Sequence, residues 1–81
     1  QDTIKVWLKK DVGRIMPSNE KNGIERGEFY ERYKHYWTGN NRKWEGKNTF
    51  FDRIEEIYKV QAKKVAGRGM CWGIAEEGAE L

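Results

Sequence analysis

The spacing of apolar residues changes once along the chain, between residues 47 and 74, and this change limits what the chain can fold into. Three apolar side chains there lie four and three residues apart and so share one face of a helix: Phe50, Ile54 and Ile57. Residues 60–65 and 70–74 favour extended segments, and residues 66–69 favour a tight, basic turn. The pattern predicts a helix that leads directly into a two-stranded hairpin with a basic tip. An ordinary helix and hairpin of a small α+β domain has the same outline. A functional and a purely structural interpretation of the basic tip therefore both stay open.

Length and composition indicate one small domain. The chain has 81 residues, and its four Trp, four Tyr and three Phe supply much of a core that must be small. The single cysteine excludes an internal disulfide framework, and one cysteine with one histidine provides too few ligands for a structural zinc site. No apolar run approaches the ~18 residues of a membrane span. We therefore expect no metal, no cofactor, no membrane partner and a cytoplasmic location, in a bacterial or archaeal host or a virus-infected cell. Since the chain begins at Gln1 rather than Met, we expect it to be part of a longer protein.

Charge is distributed unevenly. The formal net charge is +3, but the last seven residues contain three glutamates and no base, so residues 1–74 carry +6. Residues 59–74 contain four bases and no acid: Lys59, Lys63, Lys64 and Arg68. A basic patch of this kind attracts polyanions, nucleic acid first, although surface lysines also serve solubility alone. The sequence predicts a domain over residues 1–74 and a short acidic tail over residues 75–81.

The first third of the chain predicts one helix and one loop. Residues 1–12 form a helical pattern, with Asp2 as the N-cap and Gly13 as the stop. Its apolar stripe is expected to face the core: Ile4, Trp7 and Leu8. The proline and the Asn-Gly pair predict a loop over residues 14–23, after which Ile24 is expected in a short strand that pairs with the C-terminal hairpin.

The middle of the chain predicts a second helix and a turn. Residues 27–37 place four aromatic side chains on one face: Phe29, Tyr33, Tyr36 and Trp37. Gly27 is the expected N-cap of this helix, and His35 is expected to be exposed. Residues 38–47 are expected to form a turn. Trp44 in this turn is expected to be buried between the second and third helices, with stacking on nucleobases as the alternative.

The third helix is expected to run from about residue 48 to about residue 59, capped by Asn48 or Thr49. It contains three carboxylates, Asp52, Glu55 and Glu56, which oppose contact with DNA. Contact with nucleic acid is therefore expected mainly from four residues: Lys47, Asn48, Thr49 and Arg53.

The predicted order of elements is that of a winged helix-turn-helix, an α+β fold with three helices and a C-terminal β-hairpin wing. Three stretches also match a known pattern: DTIKVWLKK at residues 2–10, RGEFYERYKHYW at residues 26–37, and Phe-x-x-x-Ile-x-x-Ile from residue 50 followed by RGMCWGI at residues 68–74. They resemble the leading helix, the second helix and the recognition helix with its wing in the C-terminal domain of phage, plasmid and large-DNA-virus primase–helicases. That domain follows a superfamily 3 helicase module. The chain departs from this family in its acidic third helix and in Gly27, where Ser is usual.

The resemblance implies a non-catalytic module of a DNA replication protein whose primase and helicase parts lie upstream and are possible partners. Together with the charges, it predicts that the wing residues Lys63, Lys64 and Arg68 hold the backbone of duplex DNA, while the start of the third helix enters the major groove. The alternative is a protein-interaction winged helix, in which the acidic third helix and tail dock on the helicase or another replication partner. No catalytic residue is predicted, because the chain has no Walker-type phosphate loop and no evident nucleophile–base pair.

Overall fold

A computed structural model describes residues 2–40 and 42–77, apart from the side chain of Glu20. The chain is a small α+β domain with three helices and antiparallel strands, as predicted. The helices are α1 (Thr3–Trp7, continued by a π-helical turn over Leu8–Val12), α2 (Arg26–Gly39) and α3 (Lys47–Tyr58). The strands are β1 (Ile15–Pro17), β2 (Ile24–Glu25), β3 (Lys63–Val65), β4 (Gly69–Trp72) and β5 (Ile74–Glu76). A 3-10 turn, Glu20–Asn22, precedes β2.

The first helix begins and ends where the sequence predicts. Oδ1 of Asp2 accepts a hydrogen bond from the Lys5 amide (3.1 Å), which satisfies one of the free donors of the first turn. Gly13 has a φ of 82°, a conformation that other residues rarely adopt, and the helix ends there. The apolar stripe faces the core as expected, since Ile4 and Trp7 have no exposed surface.

A three-stranded antiparallel sheet in the order β2-β4-β3 confirms both the C-terminal hairpin and the pairing of Ile24 with it. Ile24 lies opposite Trp72, and Lys63 lies opposite Cys71. The hairpin is shorter than predicted, because residues 60–62 connect α3 to β3 without joining a strand. This element order and strand order are compatible with a winged helix.

A second sheet, β1 with β5, corrects two expectations. Ile15 and Met16 pair with Glu76 and Ala75 where the sequence predicted a loop and an acidic tail. Ala75 is only 3% exposed and belongs to the domain, so the predicted boundary at residue 74 is too early. Pro17 is compatible with a strand here because this sheet has only two strands, and an edge strand tolerates a residue without an amide donor. The remaining predicted tail, residues 78–81, lies outside the described residues.

The N-terminus of α2 corrects a third expectation. The N-cap is Glu25, and Gly27 lies inside the first turn. The Glu25 carboxylate accepts from the Gly27 amide (2.7 Å) and from the Glu28 amide (3.0 Å). A carboxylate at this position also interacts favourably with the positive end of the helix. The pairing of Glu25 with β4 holds it in the extended conformation that a cap requires, and short-range sequence rules do not include this constraint.

Aromatic side chains from every helix meet at Phe50, which lies at the centre of the core. Its ring centroid is 4.7 Å from that of Tyr33, 5.3 Å from Tyr30 and 5.8 Å from Trp7. Tyr30 is buried although it lies outside the predicted aromatic face, whereas Tyr36 is only half-buried. The buried face of α2 is therefore rotated from the predicted one, because α2 packs against α1, α3 and β4 at once.

Trp44 is 37% exposed, so the prediction that it is buried between α2 and α3 is wrong. The space between these helices is filled by Tyr30, Tyr33 and Phe50, which already pack in contact. The cap of α3 also differs from expectation. Gly46 is the N-cap and makes no side-chain bond, while Asn48 and Thr49 lie within the helix.

Candidate nucleic-acid interface

The first turn of α3 presents three of the predicted contact residues to solvent: Lys47, Asn48 and Thr49. Gly46 precedes them in an extended conformation, and the helix is then anchored at once by Phe50, whose side chain has no exposed surface. The turn is therefore both exposed and held on the core. Its free amides and the lysine make it favourable to anions.

Arg53, the fourth predicted contact residue, binds within the protein. Its Nη2 atom donates to Oδ2 of Asp2 (2.6 Å), and its Nε atom lies 3.7 Å from Oε1 of Glu56. The charged hydrogen bond raises the pKa of the Arg53 guanidinium. The structure thus gives Arg53 a role in fastening the start of α1 to α3.

This ion pair predicts a dependence of stability on pH. Burial alone raises the pKa of Asp2, but hydrogen bonds from Arg53 and the Lys5 amide, with the charge of Arg53, lower it below 3.8. The stabilisation by ionised Asp2 is therefore present above pH ~4 and lost as the pH falls through the lower folded-state pKa. Since both side chains are about one-third exposed, we expect Asp2→Asn to lose only about 0.5 kcal/mol at neutral pH.

Urea unfolding at about pH 6 and about pH 2 measures this effect. The difference between Asp2→Asn and the unmodified chain should vanish at the lower pH, because Asn preserves the cap but not the charge. Arg53→Ala should remove the same pH-dependent part. An Asp2→Asn variant that is equally destabilised at both pH values would contradict the ion pair as its cause.

The carboxylates of α3 are not equivalent, which the sequence could not show. Oε2 of Glu55 accepts from Nε1 of Trp72 (3.0 Å) and from the Ala62 amide (3.3 Å). Glu56 is exposed but lies beside Arg53, and Asp52 is exposed. One of the three acids that oppose DNA contact is thus engaged in holding α3 to β4 and to the connection that leads into β3.

The wing places its bases in two different environments. Lys63 and Lys64 are exposed on β3 and, as neighbours in a strand, project from opposite faces of the sheet. Arg68 at the tip turns back: Nη1 donates to the carbonyl oxygen of Lys21 (2.6 Å) and Nη2 to that of Gly23 (2.9 Å). Arg68 thus fastens the tip to the segment before β2, while residues 66–68 remain exposed.

Beside the wing lies an open groove of about 680 Å³ that the sequence did not predict. Its lining combines two lysines and three other polar residues with Val60 and Gly73: Ser18, Asn19, Lys21, Val60, Gln61, Lys63 and Gly73. The two walls meet where the Ser18 amide donates to the carbonyl oxygen of Gly73 (3.0 Å). A Cβ atom at position 73 would lie 3.2 Å from the carbonyl oxygen of Ser18, so glycine allows this close approach. The groove places Lys21 and Lys63 on a common surface.

Lys21 is the basic residue that sequence reasoning missed. It lies 42 residues before Lys63, and only the pairing of β2 with β4 brings their segments together. The polar composition of residues 18–22 was a signal for a loop, but not for a wall of a groove.

Other chemistry is sparse in the part of the chain that the structure describes. His35 is exposed, as predicted, and Cys71 is fully buried. No group of three or more His, Cys, Asp or Glu side chains within residues 2–40 and 42–77 could hold a metal ion. Among the helices described, none has the length and apolar character needed to cross a membrane.

A functional conclusion for this chain depends on its fold and its surface, because comparison with known proteins found no match. The chain matches no protein-family model, no curated protein and no solved structure.

Proposed function

We propose that this chain is a DNA-binding winged-helix domain that contacts duplex DNA through the start of α3 and through the groove beside β3. The observation that carries the proposal is the presence of exposed bases at both ends of α3. Lys47 begins the helix, while Lys63 lies at the groove that follows its last turn, on the same surface as Lys21.

The dimensions of α3 support this proposal. A helix of 12 residues is about 18 Å long, and the major groove of B-DNA is about 12 Å wide. A helix of this length spans the width of one major groove, so we propose that basic residues beyond its two ends reach phosphates on both sides. Lysine and amide contacts of this kind position a protein on the duplex without reading its sequence.

The acidic residues between the two ends of α3 indicate how closely this helix approaches the nucleobases. Glu55 is engaged by Trp72, and Glu56 lies beside Arg53, so Asp52 is the acid with the least compensation among the three. A carboxylate facing the major groove of DNA can accept only from the amino groups of cytosine and adenine and is repelled by the phosphates. We therefore propose that phosphate contacts supply most of the affinity and that readout of base sequence is weak.

The resemblance to primase–helicase C-terminal domains extends this proposal to a cellular role. The topology of three helices and a β2-β4-β3 sheet is compatible with that family's winged helix. We propose that the domain belongs to a replication protein, is itself non-catalytic, and holds DNA for the helicase and primase parts.

The test is the salt dependence of binding to a blunt DNA duplex. Replacing Lys21, Lys47 and Lys63 together with Ala is expected to reduce the magnitude of the slope of log K against log salt by about 2 to 3, because each lost phosphate contact contributes about 0.9. At physiological salt, the same loss corresponds to roughly 100-fold weaker binding. Arg68 is left in place because its removal would also release the tip of the wing.

A matched control removes the same charge elsewhere. Lys5, Lys9 and Lys10 are exposed on the first helix, and their replacement with Ala should change the slope much less. Equal changes in the two triple variants would show attraction by net charge and no defined interface. An unchanged slope in the Lys21, Lys47 and Lys63 variant would overturn the proposed contact surface.

One observation favours a second function, docking on a protein. Asp52 and Glu56 are both exposed on α3 and lie four residues apart, so they share one face of the helix. A basic partner, such as a helicase surface, would complement this face. Replacing both with Asn and Gln is expected to weaken binding to a purified helicase partner in this case, and to strengthen DNA binding slightly if the proposed duplex interface is correct.

A further inference from the structure

The loop between α2 and α3 presents a tryptophan that lies outside the aromatic core. Trp44 is 37% exposed, whereas Trp7, Trp37 and Trp72 are at most 5% exposed. Within the described residues, the rings of the aromatic core pack with one another and none packs on Trp44. One exposed aromatic side chain does not by itself mark a binding site, so what matters for a ligand is how Trp44 is held and what surrounds it.

The backbone on both sides of Trp44 is held in place. The Arg42 amide donates to the carbonyl oxygen of Trp37 (3.1 Å). At Glu45, the amide donates to the hydroxyl of Tyr33 (2.7 Å) and the carbonyl oxygen accepts from the hydroxyl of Tyr30 (3.1 Å). Both tyrosines are buried in the core, so the loop is fastened to it. Trp44 is thus presented by a short segment anchored at both ends, which reduces the entropy lost when it binds a flat ligand.

The surroundings of Trp44 are basic and concave. An open pocket of about 320 Å³ is lined by Trp37, Thr38, Arg42, Lys43 and Trp44. Residues 42–47 contain three bases and one acid, and Lys47 begins α3 immediately after the loop. An exposed indole with positive charges on both sides suits a ligand that combines a flat aromatic ring with an anion.

We infer that Trp44 stacks on an unpaired base of single-stranded DNA, with Lys43 and Lys47 contacting the adjoining phosphates. Stacking on an aromatic side chain beside a basic track is how proteins bind single strands without sequence preference. A paired base inside a duplex does not expose its face, so this site selects unpaired nucleotides. The inference deepens the proposed function, on which its choice of DNA as the polyanion rests, by adding single-stranded DNA to the ligands of the domain.

The experiment compares two single strands of equal length and phosphate number, one with bases and one abasic. Titration follows the intrinsic tryptophan fluorescence, in which stacking should quench Trp44 while the three buried tryptophans change little. The base-containing strand is expected to quench the emission and to bind roughly 5- to 150-fold more tightly than the abasic strand. Trp44→Ala should bind both strands equally, and its folding is checked by thermal unfolding.

Two further variants separate stacking from bulk. Trp44→Phe, read by fluorescence anisotropy of labelled strands, should retain a preference for the strand with bases, whereas Trp44→Leu should lose it. Equal binding of the two strands by the unmodified chain, or a preference that survives in Trp44→Ala, would overturn the inference. If salt-dependent duplex binding is found without any base preference, only this inference fails. If base preference is found without duplex binding, only the proposed duplex interface fails.

Discussion

Replacing Trp72 with Ala is expected to lower the free energy of unfolding by about 3–5 kcal/mol, the largest effect of any single change considered for this domain. Trp72 has no exposed surface, and its ring lies 6.0 Å from Phe51, 6.1 Å from Phe29 and 6.5 Å from Phe50 between centroids. A domain of 81 residues has a net stability of only about 4–12 kcal/mol, so the variant should be close to unfolding. Urea unfolding followed by circular dichroism measures the loss, and the melting temperature should fall by at least about 12 °C.

Trp44→Ala is the matched control, because it makes the same chemical change on the surface. It should alter the free energy of unfolding by no more than about 0.5 kcal/mol, since Trp44 lies outside the core cluster. Similar losses in the two variants would contradict the division between a structural and an exposed tryptophan, and with it the availability of Trp44 for a ligand.

Replacing Glu55 with Ala is expected to cost about 2–4 kcal/mol, the second-largest effect. One carboxylate oxygen accepts from both the Trp72 indole and the Ala62 amide, and its removal leaves two part-buried donors without an acceptor. Each unsatisfied donor costs about 1–3 kcal/mol, and water reaching this half-buried site should reduce the sum. The measurement is again urea unfolding, with near-ultraviolet circular dichroism reporting the environment of the Trp72 ring.

Glu55→Gln and Glu56→Ala complete this test. The glutamine retains an acceptor without its charge, and charged acceptors are roughly twice as strong as neutral ones, so about half of the loss should remain. Glu56 has a side chain that is 77% exposed, and its removal should change stability by less than about 0.5 kcal/mol. A loss at position 56 as large as that at position 55 would show that the helix responds to charge in general and not to these two hydrogen bonds.

The elements that the sequence predicted correctly are those whose signal is local. The α1 cap at Asp2, the stop at Gly13 and the buried face of Ile4 and Trp7 depend on residues within one or two turns of each other. The change from helical to extended spacing after α3 likewise predicted the hairpin that β3 and β4 form. These features do not depend on long-range contacts, so the sequence is enough to predict them.

The errors arose wherever a distant partner decides the conformation. Residues 15–17 carry loop signals, yet they form β1 because β5 offers a strand edge some 60 residues later. Glu25 caps α2 because its strand pairs with β4. Trp44 is exposed because Tyr30 and Tyr33 fill the space that it was expected to occupy and hold its loop through Glu45.

The candidate interface likewise contains some features that the sequence identified and others that only the structure showed. The sequence identified the basic character of residues 59–74 and the exposed start of α3, since both depend on composition and spacing alone. It did not distinguish Lys64, exposed on its strand, from Arg68, which donates to two carbonyl oxygens of the segment before β2. It also could not place Lys21 beside Lys63 in one groove.

By itself, then, the sequence determined that this is a small α+β domain with an aromatic core, three helices and a basic hairpin. Those properties follow from periodicity and composition, which act over a few residues. Only the tertiary structure decided which charges serve the fold and which face solvent. The physical reason is that a long charged side chain binds whichever partner folding brings within about 3 Å, and the carbonyl or carboxylate that it meets lies tens of residues away, as Arg53 with Asp2 and Arg68 with Gly23 show.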